Sequence, residues 1–159
     1  MEKFEAKEIP LQDQCEMMRE MIALQLPRLY QHLVGGYGEE QGMEMFLKLY
    51  EVQFQERIAM FAGKDVSEVM MAELGMFPAM GWKLYLEKSE EDGTIYWYEH
   101  LQNCPPLEAC RKYGLPDPCS IVCKPETDLA EKNRIGKWER LKHLAAGDNE
   151  CLFKICNLD

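Results

Sequence analysis

Apolar residues recur at helical spacing through the first half of the chain. Cys15, Met18, Ile22, Leu26, Leu29 and Leu33 fall three or four positions apart, which predicts a helix over 12–34 with one face turned to a core. Pro27 sits inside it and removes an amide donor, so a kink or break near Leu26 is expected. Gly35 and Gly36 punctuate the pattern, and a second stripe of Met43, Phe46, Leu47, Tyr50, Phe54, Ile58 and Phe61 predicts an antiparallel partner over 39–62. Asp65 followed by Glu68 is a capping-box pair that opens a third helix over 66–74, with Gly75 as its stop.

After Gly81 the period changes from helical to alternating. Trp82, Leu84 and Leu86 alternate with Lys83, Tyr85 and Glu87, the turn residues Glu90-Glu91-Asp92-Gly93 follow, and Ile95 to His100 returns as an aromatic strand. A second hairpin is expected where 137–145 and 150–156 flank Gly147-Asp148-Asn149. The hairpins thus span 82–100 and 137–156, and the residues between them read as short helices over 105–113, 118–123 and 126–133. The fold class is therefore α+β, with N-terminal helices packed on a four-stranded antiparallel sheet of two hairpins and cysteine-bearing helices between them. One domain over 1–159 is expected, helical over 1–80 and sheet-forming and cysteine-rich over 81–159.

Charge narrows the partners. Eighteen Lys plus Arg stand against 28 Asp plus Glu, for a net charge of -10. Such a surface repels a phosphate backbone or an anionic membrane, so neither nucleic acid nor membrane is expected as a partner. A small-molecule ligand is, and homo-oligomerisation stays open. Charges in the first ten residues interrupt any signal-like apolar core, and no apolar run has the length of a membrane span, so the expected compartment is the cytoplasm. Ten methionines on the helical part, among them Met17, Met18, Met21, Met60, Met70 and Met71, read as adaptable core filler, the alternative being a deformable pocket wall.

Six of the seven cysteines lie after residue 100. Without a secretory signal, an odd count argues for free thiols, metal ligands or a catalytic thiol over a disulfide framework. Cys119 and Cys123, four apart, present both thiols to one side of a helical turn, and Cys104 and Cys151 can join them if the fold brings distant segments together. That set, Cys104, Cys119, Cys123 and Cys151, is the candidate metal site, for a zinc ion or an iron-sulfur cluster, although its spacing matches no zinc finger or ferredoxin pattern. Burial as small hydrophobes is the ordinary role of free cysteine, and Cys15, Cys110 and Cys156 are assigned to it. His100, four residues before Cys104, is a candidate general base or ligand, against the alternative of a solvated strand end. His143 can point in or out. Asp128, at the start of the last short helix, is either a helix-dipole partner or part of the site.

The run from Cys104-Pro105 through Gly114, Cys119, Cys123 and Asp128 to Ala146-Gly147-Asp148-x-x-Cys151-x-Phe153 resembles the L-2-amino-thiazoline-4-carboxylic acid hydrolase family. The resemblance covers about fifty residues, with the helical part agreeing in layout, and one departure is the longer gap, Lys-Pro-Glu-Thr, between Cys123 and Asp128. It implies hydrolytic opening of a thiazoline ring to N-carbamoyl-cysteine, a cyclic amidine-type substrate, and a cysteine-centred site. Cys104 and Cys123 are then the thiols, with His100 or Asp128 moving protons and Arg111 and Lys124 as the positive neighbours that would favour a thiolate. The closing Gly-x-x-x-Cys-x-Phe element is also similar to the end of the 4-vinyl reductase domain, which implies the alternative of a non-catalytic sensor holding a small molecule, a metal or an iron-sulfur cluster.

Overall fold

A computed structural model describes residues 7–158. Three helices come first, α1 (Leu11–Tyr37), α2 (Glu39–Phe61) and α3 (Val66–Ala79). The hairpin β1 (Leu84–Glu91) and β2 (Thr94–Leu101) follows, then α4 (Pro105–Tyr113), a 3-10 turn at Pro118–Ser120 and α5 (Cys123–Lys132). The chain closes with β3 (Lys137–Lys142), a second 3-10 turn at Leu144–Ala146, and β4 (Cys151–Cys156). All neighbouring strands are antiparallel, in the order β1-β2-β4-β3. This is the expected α+β architecture, and β4, the last strand, enters the middle of the sheet beside β2. Among the described residues no helix is long and apolar enough to cross a membrane.

Several boundaries differ from the sequence reading for local reasons. Helix α1 runs through Pro27 without a break, and continues through Gly35 and Gly36 to Tyr37. The turn waits for Gly38, whose φ of 82° is open to glycine and strained for most other residues. Helix α3 likewise passes Gly75 and Pro78. Its start is as expected: the Glu68 amide donates to Asp65 at 2.9 Å and the Asp65 amide to the Glu68 side chain at 3.1 Å. Strand β3 ends at Lys142, so His143 stands before the second 3-10 turn and not within a strand. Cys123 is the first residue of α5, which puts Asp128 in its middle and not at its start.

The first α1 stripe also needs correcting. Leu26, Leu29 and Leu33 pack against the α2 ladder, but Cys15 is exposed and Met18 and Ile22 are about half exposed, at 56% and 49%. Methionine as core filler holds for Met70, which is fully buried, but not for Met17, Met18, Met21, Met60 and Met71, all largely exposed. Periodicity shows which residues share a face, and only packing shows how far that face is covered.

On α2 the buried residues Gly42, Phe46, Tyr50 and Phe54 repeat every fourth position. The rings form a ladder, with Phe46, Tyr50 and Phe54 successively 6.0 Å apart. Gly42 is required by the helix pair: a Cβ there would lie 2.6 Å from the Val34 Cα. A second core lies between α3 and the sheet, centred on Val66, Val69, Met70, Leu101, Phe153 and Ile155. Trp97, Glu99 and Leu101 of β2 oppose Ile155, Phe153 and Cys151 of β4, so all six share one sheet face. Apolar members of that set belong to the core under the helices, so that face is the covered one. Two hydrogen bonds tie this layer to α3: the Trp97 indole donates to Ser67 at 3.2 Å and the Val66 amide to Asn157 at 2.9 Å.

Gly42→Ala is expected to lower the free energy of unfolding in urea by about 1–3 kcal/mol, because backbone must move to admit the methyl. Gly35→Ala, where a Cβ meets nothing within 4 Å, is expected to raise it by about 0.5 kcal/mol through helix propensity alone.

Candidate functional site

The inward face of β2 and the covered faces of α2, α3 and α5 enclose a cavity of about 90 Å³. Phe54, Phe61, Phe77, Trp82, Trp138 and Phe153 supply aromatic walls. Four charged side chains also line it: Arg57 from α2, Glu73 from α3, Glu99 from β2 and Glu126 from α5. A second chamber of about 300 Å³ adjoins it, sharing Phe54, Arg57, Phe77, Trp82 and Glu126 and reaching the exposed Arg19, Ile22 and Gln53. An apolar cavity with a few convergent polar groups is the usual form of a small-molecule site.

The charged groups are held by secondary-structure geometry. Val66, Val69, Met70 and Glu73 are the buried residues of α3, at positions i, i+3, i+4 and i+7, so Glu73 continues an apolar stripe into the core. Glu99 is carried inward by strand alternation between Trp97 and Leu101. Both glutamates are nearly inaccessible, at 3% and 4% exposure. The Arg57 guanidinium donates from Nη2 to Glu73 at 2.9 Å and forms an ion pair through Nη1 with Glu126. It also lies 5.8 Å from the ring centres of Phe54, Phe61 and Phe77.

Burial pushes both carboxyls up from the ordinary range. For Glu73 the neighbouring Arg57 opposes the shift. For Glu99 the Glu73 carboxylate adds to it, so Glu99 stands well above an ordinary carboxyl. Glu73 Oε2 and Glu99 Oε1 receive no donor from any other group. Burial and the neighbouring carboxyl thus favour the protonated form of Glu99, while Arg57 favours the ionised form of Glu73 against its burial.

The cysteines lie close by with different properties. Cys104 precedes the first turn of α4, Cys119 is in the 3-10 turn, and Cys151 opens β4 opposite Leu101. All three are buried, and they interact electrostatically, Cys104 with both Cys119 and Cys151. Burial pushes the Cys104 thiol up to about 12, and burial raises Cys151 too. Cys119 is raised first by its hydrogen bond to Cys123 and then by burial. These three are protonated thiols at neutral pH, poor nucleophiles as they stand. Cys123 differs in position, since it is partly accessible, lines the cavity and begins α5. Among the described residues, no group of three or more His, Cys, Asp or Glu side chains is arranged to hold a metal ion. The set Cys104, Cys119, Cys123 and Cys151 is thus gathered into one region without forming a ligand cluster.

His100 and Asp128 are not brought to the cavity. His100 follows Glu99 on β2 and therefore faces the opposite side of the sheet, where it stacks on Tyr85 with ring centres 4.2 Å apart and bonds Glu150 through Nδ1 at 3.0 Å. Asp128 is exposed and paired with Lys124 at 2.5 Å, and neither lines the cavity. Arg111 is exposed on α4. Arg57, Glu73, Glu99 and Glu126 were missed by sequence reasoning. The signal that could have found two of them is a charged residue at an inward position of an apolar pattern: Glu73 in the Val66-Val69-Met70 stripe and Glu99 between Trp97 and Leu101.

A family model described as L-2-amino-thiazoline-4-carboxylic acid hydrolase matches residues 15–155. The chain belongs to this hydrolase family. Membership extends over the N-terminal helices that carry Arg57 and Glu73, well beyond the cysteine-containing fifty residues in which the resemblance was first legible. No curated protein and no solved structure matches the chain.

The acid pair has a thermodynamic signature in this hydrolase-family fold. The folded state keeps the Glu99 proton, while the unfolded chain releases it near the ordinary value of 4.5. The associated stability is fully present below that value and is lost as pH rises toward the raised folded-state value. Thermal denaturation from about pH 5 to about pH 9 should show Tm falling with pH, and Glu99→Gln should flatten that fall.

Proposed function

We propose that this protein hydrolyses a small cyclic amidine-type substrate of the thiazoline class in the cavity between α2, α3, α5 and the sheet, with Glu99 and Glu73 moving the protons. The observation that supports the reading is a pair of buried glutamates, Glu73 paired with Arg57 and Glu99 favoured in its protonated form by burial, in an aromatic chamber of a chain whose family is named for such a hydrolysis. Water adds to the ring carbon that lies between sulfur and nitrogen, and Glu73 takes a proton from it as general base. The carbon–sulfur bond then breaks, and Glu99 delivers a proton to the departing sulfur. The water oxygen becomes the carbonyl of the carbamoyl product, and its two hydrogens end on the ring nitrogen and the freed thiol. Apolar walls keep other water away and strengthen each charge interaction.

Cys123 supports a second, thiol-centred reading because it lines the same cavity at the first residue of α5. Its sulfur would attack the ring carbon, and water would then release the product. The two readings separate in a turnover assay with L-2-amino-thiazoline-4-carboxylate, following release of free thiol. On the acid-base reading, Glu99→Gln loses about 10²–10⁴-fold in kcat and Cys123→Ser keeps kcat within about tenfold. The reverse pattern selects the thiol, and no turnover of this or related cyclic amidines by the unmodified protein ends both.

A further inference from the structure

The apolar seam of α1 is covered along one half of the helix and open along the other. Leu26, Leu29 and Leu33 pack against α2, but the same stripe continues toward the N-terminus as Leu11, Cys15, Met18 and Ile22, and all four are exposed, Leu11 at 74%. Met17 and Met21 lie beside it and are exposed as well. Together these side chains present on the order of 500 Å² of apolar surface, which matches the apolar share of the roughly 800 Å² that each partner brings to a standard interface. Methionine is enriched at such surfaces because its flexible thioether fits an irregular neighbour. The charges around the seam say which neighbour fits. The chain carries -10 overall, so two copies repel unless they meet over a surface free of acid. Gln12, Gln14, Arg19 and Met21 border the seam, and none is acidic. Asp13, Glu16 and Glu20 fall on other faces; Glu16 and Glu20 line a groove against α4, where Glu20 pairs with Lys112 at 2.8 Å. A lipid surface fits poorly, since the polar side of this half-helix carries acids where an interfacial helix needs lysine and arginine. The intervals between the four seam residues also read alike from either end, as a two-fold contact of one surface with itself requires.

We propose that α1 is a dimerisation helix: two copies of this chain pair antiparallel through Leu11, Cys15, Met18 and Ile22, about a two-fold axis midway between Cys15 and Met18. Leu11 then opposes Ile22 and Cys15 opposes Met18, in both directions, so every seam residue meets a seam residue. The fold opposes a parallel pair in register, because α2 already covers the seam at Leu29 and Leu33 and two parallel α1 helices would drive the two α2 helices together there. Antiparallel pairing overlaps the exposed halves and sends the covered halves in opposite directions. Arg19 and Ile22 also line the second chamber, so the contact borders the cavity mouth and the second copy narrows the way in. This inference stands apart from the hydrolytic reading, because it rests on a different surface and holds whatever the cavity binds.

Sedimentation velocity of the full chain over about 1–200 µM tests the pairing, and a monomer-dimer equilibrium within that range is expected for an interface of this size. Leu11→Glu and Met18→Glu, both at exposed positions, should each weaken the dimer about tenfold or more while Tm stays within about 2 °C. Val52→Glu, at an exposed apolar position of α2, should change dimerisation less than about twofold. Cys15 is exposed and the other cysteines are buried or half-buried, so a short bismaleimide should trap a covalent dimer that Cys15→Ser abolishes. Orientation is read by moving the thiol: Leu11→Cys combined with Cys15→Ser sets the two new thiols about 16 Å apart along an antiparallel pair, too far for the same reagent to bridge. A protein that stays monomeric throughout the range overturns the proposal, as does one that stays monomeric and binds phosphatidylcholine vesicles instead. So does a dimer indifferent to both seam substitutions or equally weakened by Val52→Glu, and so does efficient bridging from position 11, which would make the pair parallel.

Discussion

Arg57 is the group on which the interior arrangement depends. Its guanidinium ties α2 to α3 through Glu73 and to α5 through Glu126, while its faces meet Phe54, Phe61 and Phe77. Of these partners Glu73 is buried, so losing Arg57 would leave its carboxyl without a compensating charge, and the helices are held around the cavity by interactions that also fill it with charge. A plain hydrophobic contact would hold them as well and leave no chemistry. Conformational specificity and reactivity therefore meet in one side chain, and Glu99 completes the set by holding a proton where a second carboxylate could not stay ionised.

The sheet supplies the other constraint, because neighbouring residues of a strand face opposite ways. Glu99 enters the cavity and His100, one residue later, lies beyond the sheet against Tyr85 and Glu150. A histidine near cysteines in sequence looked like catalytic machinery, yet alternation separates it from the cavity by the thickness of a strand. Asp128 and Lys124 illustrate the helical counterpart: one turn apart on α5, they satisfy each other in solvent. Of the cysteines prominent in the sequence, Cys123 alone among Cys104, Cys119, Cys123 and Cys151 reaches the cavity wall. The other three are buried behind it, Cys119 in a hydrogen bond with Cys123.

The sequence by itself determined the architecture. Helical and alternating periods placed three long helices before two hairpins, the capping pair Asp65 and Glu68 began α3 where expected, and Asp92-Gly93, both at positive φ, made the first turn. Those features are local, and near neighbours in the chain decide them. Family membership was legible as well, from the cysteine-bearing segments and the closing hairpin. Helix ends were less so: Gly35, Gly36 and Gly75 read as stops, but packing carried α1 and α3 through them. Only the tertiary structure decided the cavity. Residues 57, 73, 99 and 126 come from four elements, and a glutamate on an apolar stripe cannot be told from one that turns to solvent until its neighbours bury it. Burial gives Glu99 its proton, and burial is a property of the assembled chain, which no spacing of residues along it expresses.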